Sequence, residues 1–229
     1  MEIHVNGLDG YLRQPEGGSA MGVLLLPMIT GVNPFVQEAA AKLAGAGFTA
    51  LAWEPYSGQP HPKDQAESLA MSQKLLDKPA LAEQSIWLTY MLEELGNRSV
   101  GVLGWCLGGR YALLLPAQDR RLRAAVAYHP SIVDPPFPNQ EMDAAALVGE
   151  IQCPLQVLYP NEDRVTSRAT FNHLAESLLR MQAPLDLQLY PGADHGFTGP
   201  NAQSNPANVL ATKIAWPSTV SFLRSALEN

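Results

Sequence analysis

Apolar runs alternate with amphipathic stretches along the chain. A run that is apolar throughout is typical of a parallel strand covered on both faces, and an apolar stripe at helical spacing is typical of a helix that packs on such a sheet. The pattern predicts a hairpin and six further strands over Ile3–Val5, Gly10–Arg13, Met21–Leu26, Phe48–Trp53, Ser99–Gly104, Ala124–Tyr128, Leu155–Tyr159 and Leu185–Tyr190. It predicts helices over Asn33–Gly45, Asp64–Leu76, Pro79–Leu95, Leu107–Leu115, Ala144–Gly149, Ser167–Met181 and Ala207–Leu227.

Strands and helices in this order indicate an α/β fold, with an open, mostly parallel sheet of about eight strands and helices on both faces. No internal repeat or linker divides the chain, so we expect residues 1–229 to form one domain. The proline-rich segments Glu54–Lys63 and Ser131–Gln140 read as surface loops that shape only the rim of a cleft. No large cap domain is expected. Chemistry is expected in the loops that follow the carboxyl ends of the strands.

The composition is that of a globular protein, since 46% of the 229 residues are hydrophobic and 16% are charged. The net charge of −7 argues against a nucleic-acid partner, which needs a basic face. No apolar run approaches the ~20 residues of a membrane span, and the N-terminal segment lacks the features of a signal peptide. Two cysteines, Cys106 and Cys153, favour a reduced compartment. We therefore expect a cytoplasmic protein, a monomer or small homo-oligomer, that binds no membrane.

The segment GWCLGG, Gly104–Gly109, joins a predicted strand to a predicted helix. The third residue of a G-x-S/C-x-G turn points out of the sheet, and the glycines avoid collisions with the neighbouring strand and helix. The helix N-terminus favours the reactive thiolate of Cys106, and the backbone N–H of Leu107 points into the same space. Most free cysteines are buried core residues, and Cys153, which no glycine frames, is interpreted as one.

Two residues follow Cys106 in the order expected of a catalytic triad. Asp163, in NEDRVT, and His195, in GADHGF, each follow one of the later predicted strands. An α/β-hydrolase places its acid and its histidine on such loops, so the three side chains meet at one edge of the sheet. A lone Asp or His in a loop is usually a turn former or a surface residue. The order of all three favours a Cys-His-Asp triad. No histidine or cysteine pair has zinc-ligand spacing, so no metal is expected.

Four motifs together resemble the dienelactone hydrolase family, the cysteine branch of the α/β-hydrolases: LLLPMITGVNPF (Leu24–Phe35), GWCLGG (Gly104–Gly109), NEDRVT (Asn161–Thr166) and GADHGF (Gly192–Phe197). The resemblance covers essentially the whole chain. It implies that Cys106 is the nucleophile, His195 the base and Asp163 the residue that orients the base. It also implies that the N–H groups of Ile29 and Leu107 form the oxyanion hole, and that no cofactor is required.

The activity that the resemblance implies is hydrolysis of a small-molecule lactone or carboxylic ester through an acyl-enzyme on Cys106. A thioesterase or acyl transferase can use the same intermediate, and it is distinguished by an acceptor other than water. A ligand-binding protein that keeps the fold without efficient chemistry is a further alternative.

The chain departs from the family pattern at two places. Family members carry a glutamate that contacts the cysteine, and Met28 stands at that position here. The nearest acidic and phenolic groups by topology are Glu54 and Tyr56, and one or the other is predicted to replace it in part. Family members also hold the substrate carboxylate with arginines, and the matching stretch Thr198–Asn201 has none.

Other residues are predicted to line the site. Trp105 and Phe197 are candidates for an apolar wall, and His129 is a candidate for binding polar groups of the substrate. For each of them a place in the core, or a backbone-bonded loop, is the alternative. Arg164 and Arg168, near the candidate acid, are the closest cations for a substrate anion.

Overall fold

The structure, a computed structural model, describes residues 1–228, so the last residue of the predicted domain lies outside the described part. Its strands are β1 (Glu2–Val5), β2 (Leu8–Arg13), β3 (Met21–Leu26), β4 (Thr49–Trp53), β5 (Ser99–Trp105), β6 (Ala124–Tyr128), β7 (Leu155–Glu162) and β8 (Leu185–Asp194). They form one eight-stranded sheet in the order β1-β2-β4-β3-β5-β6-β7-β8. β2 is antiparallel to both β1 and β4, and every pair from β4 to β8 is parallel.

Helices cover both faces of this sheet. They are α1 (Pro34–Gly45), α2 (Gln65–Ser72), α3 (Asp77–Glu93), α4 (Leu107–Gln118), α5 (Ala144–Leu147), α6 (Arg168–Leu178) and α7 (Pro206–Leu227). α1 and α7 pack on one face, and α3 to α6 pack on the other. The predicted α/β-hydrolase fold is confirmed, and no segment of residues 1–228 forms a large cap over the sheet.

The central strand β3 shows why its sequence is apolar throughout. Val23 and Leu25 contact the helices of one face, whereas Leu24 and Leu26 contact those of the other, and all four are fully buried. Because both faces are covered, no polar side of the strand is required. The parallel strands all end at one edge of the sheet, and the loops that leave this edge carry the candidate site.

Several elements differ in extent from the predictions. β7 and β8 run to Glu162 and Asp194, directly up to the candidate acid and histidine. α2 ends at Ser72, four residues early, and α3 begins at Asp77. The prediction of a surface loop over Glu54–Lys63 is wrong for its first residues, because Glu54 and Tyr56 are only 6% and 2% exposed.

A separate finding concerns membranes. Within residues 1–228, no helix combines the length and the apolar character that are needed to cross a bilayer. The cytoplasmic location and the oligomeric state stay predictions.

Candidate active site

Cys106 alone connects β5 to α4. Its backbone has φ 55° and ψ −112°, a left-handed φ that strains a residue with a side chain. Main-chain atoms hold the turn on both sides: the N–H of Cys106 donates to the carbonyl of Tyr128 (3.1 Å), and its carbonyl accepts from the N–H of Ser131 (2.9 Å). The cysteine is half-buried, so its thiol lies at the carboxyl edge of the sheet without being sealed in the core.

The glycines around this turn are required by close backbone approach. A Cβ at Gly104 would collide with the carbonyl of Gly108, and a Cβ at Gly108 would collide with the carbonyl of Leu26. A Cβ at Gly109 would meet the carbonyl of Tyr128. The strand, the turn and the helix can pack this tightly only without these side chains.

Asp163 and His195 lie side by side at the ends of the neighbouring strands β7 and β8. Nδ1 of His195 is 2.8 Å from Oδ2 of Asp163, whose side chain is completely buried. The other carboxylate oxygen, Oδ1, accepts the backbone N–H groups of Val165 (2.7 Å) and Thr166 (2.9 Å). The two backbone donors therefore fix the orientation of the Asp163 carboxylate, so that Oδ2 points at the imidazole of His195.

The surroundings of His195 favour the protonated form of its imidazole. Burial lowers its pKa, but the hydrogen bond with Asp163 and the interaction with Cys106 outweigh burial and raise the pKa to about 10. Nε2 makes no conventional hydrogen bond with any group of residues 1–228. That nitrogen is thus open to exchange a proton with the thiol or with a bound molecule.

The candidate oxyanion hole joins two loops. The N–H of Gly108 donates to the carbonyl of Pro27 (3.0 Å), which brings the start of α4 against the loop after β3. Within residues 1–228, neither the N–H of Ile29 nor the N–H of Leu107 donates a hydrogen bond to a backbone carbonyl, so both are free to bind an oxyanion. Two backbone donors from adjacent loops are the arrangement that holds an oxyanion.

The loop that carries Ile29 is anchored from behind by Glu54 and Tyr56. The Glu54 carboxylate accepts from the N–H of Val32 (2.9 Å) and from the N–H of Tyr56 (3.0 Å). The Tyr56 hydroxyl donates to the carbonyl of Ile29 (2.7 Å). Gly31 has φ 69°, and a Cβ there would lie 2.8 Å from Glu54 Oε1. The ITGVN segment (residues 29–33) therefore packs around the buried carboxylate of Glu54.

The pKa shifts of Glu54 and Tyr56 agree with this anchoring. Burial raises the pKa of Glu54, opposed by its two backbone donors. Burial, with the nearby Glu54 and Cys106, raises the pKa of Tyr56, so its hydroxyl keeps the proton that it donates. The predicted partial replacement of the family glutamate stays a prediction, and Met28 itself packs at the edge of the α1 and α7 core.

The five residues predicted to contact substrate are all buried. The exposed fractions are 6% or less for all of them: Glu54, Tyr56, Trp105, His129 and Phe197. The aromatic rings pack into the core because burying them removes a large apolar area from water. The carboxylate is buried because backbone N–H groups satisfy it. Contact of these residues with a substrate stays a prediction, and the burial of Trp105 and Phe197 agrees with the core position that was their alternative.

The candidate cations differ in their contacts. The Arg168 guanidinium is hydrogen-bonded to Asn161 and lies 5.7 Å from the centre of the Tyr159 ring. Arg164 is exposed beside the acid loop. The role of either arginine toward a substrate anion stays a prediction.

Sequence reasoning missed Thr166 as part of the site. Its hydroxyl donates to the carbonyl of Pro130 (2.6 Å) and accepts the N–H of Ile132 (2.8 Å), while its N–H donates to Asp163. Thr166 thus joins the loop that carries Asp163 to the loop after β6, whose Ser131 N–H donates to the carbonyl of Cys106. The only sequence signal is its place three residues after the candidate acid.

The order of the strands, with Cys106, Asp163 and His195 in the loops after β5, β7 and β8, is that of the α/β-hydrolase class. The dienelactone hydrolase family model matches residues 8–227. The chain belongs to the dienelactone hydrolase family and is a hydrolase of that family.

Similar proteins agree with this assignment. The carboxymethylenebutenolidase of Rhodococcus opacus is 27% identical over 93% of this chain and 84% of its own. The probable 2-oxo-3-(5-oxofuran-2-ylidene)propanoate lactonase of a Bradyrhizobium species is 25% identical over 98% of this chain and 92% of its own. A structure from Klebsiella pneumoniae, provisionally identified as a dienelactone hydrolase, superposes with a TM-score of 0.85, at 23% identity over 94% of this chain and 92% of that one. The last likeness shows the fold alone.

Proposed function

We propose that the protein hydrolyses a lactone or a small carboxylic ester through a covalent acyl-enzyme on Cys106. The observation that carries the proposal is the contact of 2.8 Å between His195 and the buried Asp163, at the sheet edge where Cys106 occupies a strained turn. A positively charged imidazole beside a thiol favours the nucleophilic thiolate.

In the acylation step, the sulfur of Cys106 forms a bond to the carbonyl carbon. The negative charge that develops on the carbonyl oxygen is held by the N–H groups of Ile29 and Leu107. The carbon–oxygen bond of the ester then breaks, and Nε2 of His195 gives its proton to the leaving oxygen. In a lactone, the leaving oxygen stays attached to the acyl group as a hydroxyl.

In the deacylation step, Nε2 of the neutral His195 takes a proton from water as the water oxygen attacks the thioester carbon. Collapse of the second tetrahedral intermediate breaks the carbon–sulfur bond and releases the acid. Asp163 keeps Nδ1 protonated throughout, so Nε2 alone exchanges protons.

The substrate class that this site favours is a lactone or a small carboxylic ester. The buried Arg110 is bound by Asp77, with contacts of 2.6 and 2.8 Å, and Arg168 is hydrogen-bonded to Asn161, whereas Arg164 is exposed and is the candidate for binding a carboxylate of the substrate. The two relatives named above are called a lactonase and a carboxymethylenebutenolidase, and both names describe ring opening. A lactone is therefore the first substrate class to test.

The test compares p-nitrophenyl acetate with a dienelactone under reducing conditions, using the wild type, Cys106→Ala and Cys153→Ala. Cys153 is the matched control because it is buried in the core near the amino ends of the strands. We expect Cys106→Ala to lose turnover and Cys153→Ala to keep it. Mass spectrometry of rapidly quenched reactions is expected to show the acyl group on Cys106.

Equal rates in the wild type and Cys106→Ala would overturn the cysteine mechanism. A rate that rises with an added alcohol or thiol acceptor, with a new ester as product, would reassign the enzyme as an acyl transferase. No turnover of either substrate class would leave a binding protein as the better description.

A further inference from the structure

His129 is a buried histidine that the proposed chemistry does not use. It follows β6, is 0% exposed, and has a left-handed φ of 33°. Its backbone N–H donates to the carbonyl of Leu158 (2.8 Å). Both ring nitrogens are buried and have no hydrogen-bond partner within residues 1–228. A buried polar ring without partners is rare and asks for a reason.

The ring of His129 lies against the ring of His195. The two ring centres are 4.7 Å apart, and the planes meet at 68°. Phe197 lies on His129 as well, with ring centres 5.7 Å apart, but it offers no acceptor. The polar atoms of His129 thus lie in an aromatic enclosure whose charged member is His195.

This placement gives His129 an unusual freedom. A neutral imidazole carries its proton on one nitrogen and a lone pair on the other, and a hydrogen bond normally decides between them. No hydrogen bond from another residue among 1–228 makes that decision here. The tautomer can therefore follow the field of the neighbouring ring, so that the negative end of the His129 dipole faces a charged His195.

We propose that His129 is a positioning residue for His195: its neutral ring adopts the tautomer that stabilises the imidazolium of His195 and so supports the charged pair with Cys106. This rests on the proposed role of His195. Burial and the charge of His195 hold the pKa of His129 well below its usual value, so His129 stays neutral beside the imidazolium.

The other charged groups around His195 are accounted for. Asp163 faces it from the loop after β7, and Cys106 faces it from the turn after β5. The adjacent carboxylate, Asp194, is held by the side-chain amides of Asn205 (2.7 Å) and Asn208 (3.2 Å). His129 supplies the remaining polar ring, from the loop after β6.

On the far side of His129, Tyr128 makes a hydroxyl contact of 2.8 Å with Thr219. Burial raises the pKa of this tyrosine, so it adds no charge near His129. The field at His129 therefore comes mainly from His195.

The test is an NMR titration of the histidine rings in ¹⁵N-labelled protein, in the Cys106→Ala background so that the thiol does not titrate with His195. His129→Phe keeps the ring shape and removes the dipole. We expect the titration midpoint of His195 to fall by about one pH unit, a tenfold loss of proton affinity. His173→Phe, on the exposed side of α6, is the matched control and is expected to leave the midpoint in place.

An unchanged midpoint in His129→Phe would overturn the proposal, because a ring that only fills space does not alter proton affinity. If the phenylalanine variant does not fold, the isosteric pair His129→Asn and His129→Leu decides instead: the amide is expected to retain a higher midpoint than the leucine, and equal midpoints would overturn the proposal. The titration needs no substrate, so its failure is separate from any failure of the proposed hydrolysis.

Discussion

Asp163→Asn replaces the carboxylate that contacts the candidate base with an amide of the same shape. Two backbone donors, the N–H groups of Val165 and Thr166, already bind Oδ1. They select the orientation in which the amide oxygen takes that place. The amide NH₂ then faces Nδ1 of His195, where Oδ2 lies in the wild type at 2.8 Å.

The consequence is a histidine in the wrong tautomer. With a donor facing Nδ1, the neutral ring carries its proton on Nε2, and Nε2 can no longer accept one from water. The charge that stabilises the imidazolium is lost at the same time. We expect kcat to fall by about 10³–10⁴, the size of effect measured for this change in a serine-protease triad.

The pH profile is expected to move in a known direction. In the wild type, burial lowers the pKa of His195, but Asp163 and Cys106 raise it to about 10, so the imidazolium persists until the pH rises through that value. In Asp163→Asn, the alkaline limb of kcat/KM for p-nitrophenyl acetate is expected to lie at lower pH. The assay is this profile, with thermal melts to confirm folding.

Asp194→Asn is the matched control, since its carboxylate is bound by Asn205 and Asn208 and has no hydrogen bond with His195. We expect it to change kcat by less than about tenfold. A loss below tenfold in Asp163→Asn, or equal losses in the two variants, would refute the reasoning from the fixed amide orientation.

Two further substitutions test the loops around the site. Thr166→Val removes the hydrogen bond from the hydroxyl to the carbonyl of Pro130, so we expect a loss of about 1–3 kcal/mol in unfolding free energy and at least tenfold lower kcat. Thr166→Ser should restore both quantities. A valine variant as active as the serine variant would contradict the role of this hydrogen bond in catalysis. Tyr56→Phe frees the carbonyl of Ile29, so we expect kcat/KM to fall about tenfold with KM little changed. Tyr90→Phe, near the end of α3 where the ring packs on Trp87, should show no such fall in the same assay.

The sequence predicts the central strands well because their apolar runs report burial on both faces, as in β3. The positions of Asp163 and His195 also follow from the sequence, since a residue directly after a parallel strand must lie at the common edge of the sheet. Their catalytic roles stay predictions. The order of these residues along the chain is sufficient to predict their positions because each follows its strand directly.

Other features depend on contacts between distant segments and were not predictable. The burial of Glu54 depends on the N–H of Val32, 22 residues upstream along the chain, and nothing near Glu54 in the sequence indicates that this donor binds its carboxylate. The bonds of Thr166 to the loop after β6 cross 34 and 36 residues. A proline-rich or polar segment looks like surface until its partners are known.

The turn at Cys106 is held by main-chain hydrogen bonds to Tyr128 and Ser131 and by glycines that let the backbone close in. None of these restraints involves the sulfur atom. The scaffold therefore fixes the position of the side chain at residue 106 but not the identity of its terminal atom, and a change from sulfur to oxygen there would need no rebuilding of the strand or the helix. Over evolutionary time, such a frame lets a lineage exchange its reactive atom by one codon change and adjust the chemistry afterwards through the loops.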